Sequence, residues 1–281
     1  MMAALRTLQR WALGLAPGLL LALASPALAD DAWREIEPGL FLGTFPAPLS
    51  TSSTDGAVIR VLRVHPEQFE LRLLNASRST DGRSLSARAW AQQHGLVAAI
   101  NASMYQTDRR TSVSLMRSPD HVNNPHLSKD MTVLAFGPKR SGLAPVVLID
   151  RECDDWERLL GEYATAVQSI RMVSCHGRNV WAQQPKRWST AAIGIDRAGR
   201  PLLIHVRSPY SVHDLIGMLT ALPLDLARAM YVEGGAESQL YVRAGTADLE
   251  FVGSFEGGFG ETGGNSRAWP IPNVIGVARK R

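Results

Sequence analysis

Two early segments of the chain carry the pattern of β-strands. Residues 57–64 are mostly apolar, and residues 69–74 alternate, with apolar side chains on one face and the charged Glu70 and Arg72 on the other. His65 and Pro66 separate the two segments. The pattern predicts two strands joined by a short turn.

The next segment has helical spacing. Apolar residues recur at helical intervals through residues 84–94, starting from Ser84 and ending before Gly95, a residue suited to a helix C-cap. Residues 96–100 are apolar and predict a short buried strand. Asn101 therefore lies at the carboxyl end of a strand.

A strand, helix and strand follow one another later in the chain. Residues 202–206 and 229–232 are apolar and predict strands, and residues 211–219 predict a helix with Ser211 and Asp214 in capping-box positions. A crossover of this kind makes the two strands parallel. We therefore expect the ends of both strands to lie on one edge of a sheet.

These elements predict the fold class, an α/β (mixed α+β) protein. We expect a single domain with mixed β-sheets and crossover helices, in which parallel strands end at Asn101, Arg207 and Glu233 around one cleft. Polar and glycine residues collect in segments 105–129, 178–189 and 253–265. The last is long for a loop and is either a mobile lid or an ordered excursion.

The N-terminus carries the signature of a signal peptide. Arg6 and Arg10 precede an apolar run at residues 11–23, and Ala27-Leu28-Ala29 forms an A-x-A cleavage site. An uncleaved anchor is the alternative, but the run is shorter than the roughly 20 apolar residues of a spanning helix. No later segment is apolar enough to span a membrane.

This interpretation divides the chain into three parts. Residues 1–29 are the cleaved signal peptide, residues 30–56 an N-terminal extension, and residues 57–281 the folded domain. The mature protein is then expected in the periplasm or outside the cell.

Composition and charge narrow the class of partner. The 281 residues are 45% hydrophobic and 20% charged, which allows a sizeable core. The net charge is +4, and removal of Arg6 and Arg10 leaves 28 basic and 26 acidic residues, or +2. So mild a charge does not indicate a nucleic-acid partner.

The chain has two cysteines, Cys153 and Cys175. In an oxidising compartment we expect them to form a disulfide, worth roughly 3 kcal/mol in the chain-entropy model. Two buried free thiols are the alternative. A zinc site is less favoured because neither cysteine has a nearby C-x-x-C or H-x-x-x-H companion. Nothing in the sequence demands a cofactor or metal, and a divalent cation bound by loop carboxylates stays an open alternative.

Several segments together resemble the phosphodiester glycosidase family. They are residues 98–105 (AAINASMY), 167–173 (VQSIRMV), 191–196 (AAIGID), 229–238 (AMYVEGGAES) and 271–276 (IPNVIG). The resemblance covers roughly residues 58–278 in the order of the family's motifs. It implies a secreted hydrolase of glycosyl phosphodiesters or related glycosidic bonds in envelope saccharides, with a saccharide or sugar-phosphate substrate.

The chain departs from the family pattern at the motif that carries the acidic residue. Glu233 stands where much of the family has Asp, Ala236 replaces the third glycine, and Glu237 replaces the serine that follows. Thr190-Ala191 stands where Arg-Thr usually precedes the Ala-Ile-Gly sequence. These departures affect the substrate more than the fold.

Glu233 is the main catalytic candidate that the resemblance indicates. A phosphate leaves readily, so the reaction chiefly needs one carboxylate, as base or nucleophile, and a clamp for the anion. A strand end would hold Glu233 rigidly, while Gly234 and Gly235 allow a ligand to come close to the backbone. The alternative is an acidic residue that caps a turn or pairs with an arginine.

Two further candidates follow the first buried strand. Asn101, a second catalytic candidate, could donate to a sugar hydroxyl or a phosphate oxygen, and an Asx turn is the alternative. Tyr105 could stack on the sugar, or instead pack under its loop.

Arginines are candidates for the anion clamp, because a guanidinium contacts phosphate with two donors. Arg171 follows Gln168 and Ser169 in a family segment, Arg187 lies in a loop, and Arg207 is expected on the same edge as Glu233. Each arginine alone is more often a solvated surface residue.

The predicted helix supplies the last candidates. Free N–H groups after Ser211 would attract an anion, and His213 in the first turn could relay a proton or face the sheet as a packing residue. Ser238 closes the family motif and is a further substrate-binding candidate.

Other functional classes are weighed against hydrolysis of a glycosyl phosphodiester. A serine hydrolase is disfavoured because the chain has no G-x-S-x-G sequence, and a Walker-type nucleotide site is absent. The main alternative is a non-catalytic periplasmic saccharide-binding or envelope-assembly protein that uses the same cleft.

Overall fold

A computed structural model describes residues 32–48, 57–254 and 265–280. The predicted signal peptide, residues 1–29, and most of the predicted lid, residues 253–265, lie outside the described residues. No described helix combines the length and the apolar character needed to cross a membrane.

The described chain alternates strands with three helices. In order, the elements are β1 (Trp33–Glu37), β2 (Leu40–Pro46), β3 (Val58–Val64), β4 (Phe69–Asn75), α1 (Ala87–His94), β5 (Ala98–Asn101), β6 (Met116–Ser118), β7 (His121–Asn124), β8 (Thr132–Pro138), β9 (Val146–Asp150), α2 (Trp156–Glu162), β10 (Tyr163–Val173), β11 (Trp188–Asp196), β12 (Pro201–Tyr210), α3 (Val212–Ala221), β13 (Leu226–Gly234), β14 (Gln239–Ala244), β15 (Ala247–Val252) and β16 (Asn273–Arg279).

The strands form two sheets. The larger has the order β1-β2-β3-β12-β11-β13-β10-β6-β7, with β8 and β9 branching from β10. The smaller has the order β15-β14-β5-β16-β4. The predicted combination of sheets and helices in a mixed α+β fold is thus confirmed.

The strand pairing differs from the expectation. Every pairing within the described residues is antiparallel, so the expected parallel pairs do not form. β12 and β13 do run in the same direction, but β11 lies between them and pairs with both. The reason is that β11 and β12 form a hairpin, and the crossover through α3 passes over β11 to reach its far side.

The two sheets pack face to face over the main core. Leu62, Met230 and Val232 of the larger sheet share this core with Ile100 and Ile275 of the smaller sheet. On the outer face of the larger sheet, α3 buries its apolar stripe, and α1 does the same on the outer face of the smaller sheet. The result is a layered arrangement of helix, sheet, sheet and helix.

The predicted helices are confirmed, with one shifted boundary. Ser211 caps α3 as expected, accepting from the backbone N–H of Asp214. α1 begins later than predicted, because Ser86 rather than Ser84 caps it by accepting from Ala89 N–H. Gly95 ends α1 with φ of 64°, in the left-handed conformation that glycine adopts without strain.

Two segments outside the predicted strands also contain strands. The predicted N-terminal extension supplies β1 and β2, and β2 pairs with β3 along its whole length. The predicted loop 105–129 contains the short strands β6 and β7. Both pairs of strands lie at the ends of the larger sheet, where alternation of apolar and polar residues is weak.

Cys153 and Cys175 form the predicted disulfide, with Cα atoms 6.5 Å apart. It joins the segment after β9 to the segment after β10. This pairing fits an extracellular or periplasmic protein.

Candidate functional site

Glu233 lies at the end of β13, at a bulge. Ala191 pairs with Glu233 and Ala192 pairs with Tyr231, so Val232 is an extra residue in β13. A bulge re-aims the side chains beside it, and bulges are frequent next to active sites. The local sequence thus fixes the direction of one acidic side chain at the end of a central strand.

The Glu233 carboxyl group is almost fully buried, with the residue 7% exposed. Loss of hydration on burial raises the pKa of Glu233 from its usual 4.5 to about 8, against the lowering effect of Gly234 N–H, which donates to Oε1 at 3.0 Å. The negative charge of Glu237 raises the pKa further. Glu233 is therefore largely protonated near pH 7.

The two predicted glycines have different structural roles. A Cβ on Gly234 would lie 2.6 Å from Trp188 Cδ1 and still closer to the Tyr231 hydroxyl, so glycine lets these rings pack against the backbone. Gly235 has φ of 62°, and a Cβ there would meet no atom within 4 Å. The backbone at Gly235 thus borders open space.

Glu237 is the second carboxylate of the site. It lies in the single 3-10 turn Gly235–Glu237, and 29% of its side chain is exposed. We call Glu233 and Glu237 the acidic pair. Their environments differ, because Glu233 is buried whereas Glu237 reaches solvent.

Tyr105 and Arg109 lie beside the acidic pair. Burial raises the pKa of Tyr105 well above its usual 10, and the negative charges of Glu237 and Glu233 add to the effect. Nη2 of Arg109 is 3.7 Å from Oε1 of Glu237. The structure therefore brings the predicted Tyr105 and Glu233 together.

Asn101 holds the turn that carries Glu237. It is 1% exposed, its Nδ2 donates to the carbonyl oxygen of Glu237 at 2.9 Å, and its Oδ1 accepts from Gln239 N–H at 2.7 Å. Both polar atoms of the side chain are therefore bonded to main chain. These bonds join β5 to the segment before β14 and hold the turn at Glu237 in position, and the direct contact with substrate stays a prediction.

Gln168 and Ser238 are also fully buried supports. Nε2 of Gln168 donates to the carbonyl oxygens of Ser128 and Asp130, at 3.1 and 2.7 Å, and its Oε1 accepts from Ser128 N–H. Oγ of Ser238 donates to the carbonyl oxygen of Gly235 at 2.9 Å. These residues hold loops in place.

Two of the three predicted clamp arginines bind groups of the protein. Nη1 of Arg171 lies 2.8 Å from Asp150 Oδ1 and 2.6 Å from Glu152 Oε2, so its charge is neutralised beside the disulfide. Nη1 of Arg207 donates to the carbonyl oxygen of Val252 at 2.9 Å. The third, Arg187, is exposed in the segment before β11.

Ser211 and His213 form a separate group around the start of α3. Besides capping the helix, Ser211 donates to Gln183 Oε1 at 3.0 Å. Nδ1 of His213 is 3.5 Å from Asp214 Oδ1. Within the described residues, no hydrogen bond or ion pair joins His213 to the acidic pair, so a proton relay from His213 to Glu233 has no structural support.

An aromatic group lies behind Gly234. Trp188 contacts the Gly234 backbone, and the rings of Trp181 and Tyr231 lie with centroids 5.5 Å apart, tilted by 49°. Met104, next to Tyr105, packs on the same cluster. Sequence reasoning missed these side chains because they come from three separate segments of the chain.

Two charged residues of the site were also missed as functional candidates. Glu237 appeared only as a departure from the family motif, and Arg109 gave no signal within its loop. Arg109 has φ of 56°, which is uncommon for a residue other than glycine. That strain is visible only in three dimensions.

One described group of side chains has the spacing of metal ligands. Ligand atoms of Cys153, Cys175 and His176 lie within 4.8 Å of one another. The disulfide uses both sulfur atoms, so this group offers no thiolate pair in the oxidised protein. This group of side chains lies near Arg171, since Cys175 N–H and Arg171 both bind Asp150, and not near the acidic pair.

Comparison with known proteins places this geometry in a family. A sequence model of the phosphodiester glycosidase family matches residues 94–278. No curated protein matches the chain significantly.

Among solved structures, the chain is similar to the catalytic domain of zebrafish N-acetylglucosamine-1-phosphodiester alpha-N-acetylglucosaminidase auto-inhibited by its pro-peptide. The TM-score is 0.60 at 10% identity, over 88% of this chain and 86% of that one. It is also similar to a hypothetical protein from Synechocystis, with a TM-score of 0.54 at 12% identity, over 85% of this chain and 62% of that one. The structural matches show the fold, and the sequence match over most of the chain shows that this protein belongs to the phosphodiester glycosidase family.

Proposed function

We propose that this protein hydrolyses a glycosyl phosphodiester, or a related glycosidic bond, of an envelope saccharide. The observation that carries the proposal is the acidic pair, in which a buried Glu233 with a pKa of about 8 adjoins a partly exposed Glu237. Most glycoside hydrolases use a pair of carboxyl groups that lie in different environments. Family membership supplies the phosphodiester.

The raised pKa assigns Glu233 a role different from the base or nucleophile expected from sequence. A protonated Glu233 can donate to the oxygen that links the sugar to phosphate. A neutral carboxyl group also avoids repelling an anionic substrate, which an ionised Glu233 would do. Glu237, whose side chain is partly exposed to solvent, is then the base.

The reaction balances with these two groups. The oxygen of a water molecule bonds to the anomeric carbon as the bond from that carbon to the phosphate oxygen breaks, and the electron pair of that bond leaves with the phosphate monoester. Glu237 accepts the proton released by the water, and Glu233 gives its proton to the leaving oxygen. Proton exchange with solvent, which Glu237 contacts, restores both groups.

Neighbouring residues support this assignment by position. Asn101 fixes the main chain at Glu237, and the half-buried Tyr105 lies close enough to both carboxyl groups for their charges to raise its pKa. The aromatic cluster at Trp181 and Trp188 offers apolar surface of the kind that packs on sugar rings.

Turnover of sugar 1-phosphodiesters tests the proposal. We expect purified wild type to release the sugar, and Glu233→Gln to be at least 100-fold slower while melting as a folded protein. Glu70→Gln, at an exposed carboxylate of β4, is the matched control and should keep the wild-type rate. Equal rates for Glu233→Gln and wild type would refute the assignment.

The main alternative is a saccharide-binding protein that uses the same cleft without turnover. It predicts saturable binding of a sugar by wild type with no product at any pH. Product detection with a panel of sugar phosphodiesters separates the two functions and identifies the sugar.

We also propose that the mature protein is secreted or periplasmic and begins at Asp30. The disulfide supports this location, because such bonds persist in oxidising compartments. N-terminal sequencing of the protein recovered from a secreting host should find Asp30 first. An N-terminus at Met1 would contradict the proposal.

A further inference from the structure

The acidic pair raises an electrostatic problem for an anionic substrate. A phosphodiester carries a negative charge, and Glu237 repels it at short range. Two of the arginines expected to bind it have partners within the protein: Arg171 pairs with Asp150 and Glu152, and Arg207 donates to the carbonyl oxygen of Val252. A cation on the open side of the acidic pair would offset this repulsion.

Arg109 is the cation that the fold places there. Its side chain is 61% exposed, and Nη2 lies 3.7 Å from Glu237 Oε1, beyond hydrogen-bond distance. An exposed ion pair of this length is weak, so another anion can replace the Glu237 carboxylate. The guanidinium offers the pair of parallel donors that fits two oxygens of a phosphate group.

The loop that carries Arg109 is built to hold this arrangement. Oδ1 of Asp108 accepts from the N–H groups of Arg110 and Thr111, both at 2.9 Å, and Oδ2 accepts from the Thr111 hydroxyl at 2.6 Å. The N–H of Arg109 donates to Gln106 at 2.9 Å. These bonds keep Arg109 in its left-handed conformation, with φ of 56°.

The left-handed backbone conformation does not itself favour arginine at this position. Glycine or asparagine would adopt the same backbone with less strain, and strained residues cluster where a side chain must be aimed. Here the backbone directs the guanidinium towards the turn that carries Glu237. Tyr105, which lies against both carboxyl groups, begins the same loop.

We propose that Arg109 is the phosphate-recognition residue of this enzyme, and that Glu237 occupies its guanidinium until the phosphate group of the substrate displaces it. The inference rests on the proposed function and assigns the substrate's anionic part to one residue. Displacement frees the Glu237 carboxylate from the guanidinium at the moment when it must accept a proton from water. Glu237, present where the family motif has serine, therefore couples substrate recognition to the base.

The test measures binding of inorganic phosphate and of dimethyl phosphate, a minimal phosphodiester, by NMR titration of the full mature chain. We expect wild type to bind both, Arg109→Gln to bind at least tenfold more weakly, and Arg109→Lys to fall between them. Glu237→Gln should bind at least threefold more tightly, because the competing carboxylate has been removed.

Arg110→Gln is the matched control. Arg110 is the next residue of the same loop, and its Nη2 donates to the carbonyl oxygen of Gly82 at 3.1 Å. We expect its phosphate affinity to remain within twofold of wild type. An unchanged affinity in Arg109→Gln, or equal losses in Arg109→Gln and Arg110→Gln, would overturn the inference, and weaker binding by Glu237→Gln would overturn the displacement.

These outcomes are independent of turnover. If phosphate binding depends on Arg109 but wild type cleaves no sugar phosphodiester, the recognition site stands and the hydrolase assignment falls. If wild type shows turnover but Arg109→Gln binds phosphate as tightly as wild type, the hydrolase assignment stands and the recognition site falls.

Discussion

The side-chain amide of Asn101 donates to the carbonyl oxygen of Glu237 at 2.9 Å, across 136 positions of sequence. Asn101 belongs to the smaller sheet. Glu233, which lies in β13 just before the turn that carries Glu237, belongs to the larger sheet. One buried side chain thus fixes the spacing between the acidic pair and the second sheet.

Replacing Asn101 by Ala should affect both stability and turnover. It leaves the Glu237 carbonyl and the Gln239 N–H without their partner, which we expect to lower the free energy of unfolding by about 2 kcal/mol. Turnover should fall at least tenfold because the turn moves. Denaturant unfolding and steady-state kinetics measure the two effects.

Asn75→Ala separates these effects. Asn75 is another buried asparagine, and its Nδ2 donates to Asn273 Oδ1 at 2.8 Å. It should lose comparable stability and keep its turnover per folded molecule. If both variants lose turnover equally, Asn101 has no special role in the site.

The rate should depend on the protonation of Glu233. With a pKa of about 8, Glu233 loses its proton, and with it the ability to donate, as the pH rises through that value. We expect kcat/KM to decline tenfold per pH unit above about pH 8. A rate that stays constant to pH 10 would show that Glu233 is not the proton donor.

Glu233 should also shape the dependence of stability on pH. Its pKa is raised on folding, so the unfolded chain releases the proton near pH 4.5 and the folded protein near pH 8. The stability contribution of protonated Glu233 is therefore progressively lost as pH rises from about 4.5 to about 8. Glu233→Gln, which stays neutral, should gain in melting temperature over wild type across this window, whereas Glu70→Gln should not.

His205 should have the opposite effect on stability, over a pH range that extends lower than that of Glu233 and partly overlaps it. Burial, with the nearby charges of Arg207 and Arg60, lowers the pKa of His205 from 6.5 to about 4, although Nε2 can donate to the Ser238 carbonyl. Because the unfolded chain takes up the proton first, wild type should lose stability as pH falls from about 6.5 to about 4. His205→Gln should flatten this decline in melting curves. A decline of unchanged steepness would mean that another group causes it.

Arg171 should prove to be structural. Removing its guanidinium leaves Asp150, which is 1% exposed, without its ion-pair partner, and breaking a buried pair costs about 3–5 kcal/mol. We expect Arg171→Ala to unfold at lower denaturant concentration while the remaining folded enzyme keeps its KM for a phosphodiester. A large rise in KM with unchanged stability would restore the clamp predicted from sequence.

Much of the fold was accessible from sequence because its elements have strong local signals. Ser211 and Gly95 mark helix ends through hydrogen bonding and backbone conformation that depend on neighbouring residues alone. The alternation in β4 and the apolar run of β13 reflect burial on the faces of sheets. The pairing of β11 with both β12 and β13 was missed, since pairing depends on contacts between distant segments.

In the candidate site, too, local sequence motifs predict some residues, whereas contacts between distant segments determine the roles of others. Glu233 and Tyr105 lie in short motifs and were named in advance, and the structure brings them together. The polar contacts of Asn101 depend on a segment that enters from the other sheet, so its positioning role was hidden. Arg109 was missed because its relation to Glu237 arises from a loop conformation that residue pattern does not encode.

The residues from Glu233 to Gln239 form the short connection through which the chain leaves the larger sheet at β13 and enters the smaller at β14. A slight slide of one sheet over the other would therefore strain this connection first and alter the separation of the two carboxyl groups. Changes in side-chain volume deep between the sheets, at Met230 or Ile100 for example, can thereby adjust the chemistry from a distance. Divergence of activity among proteins of this architecture need not begin at the residues that touch the ligand.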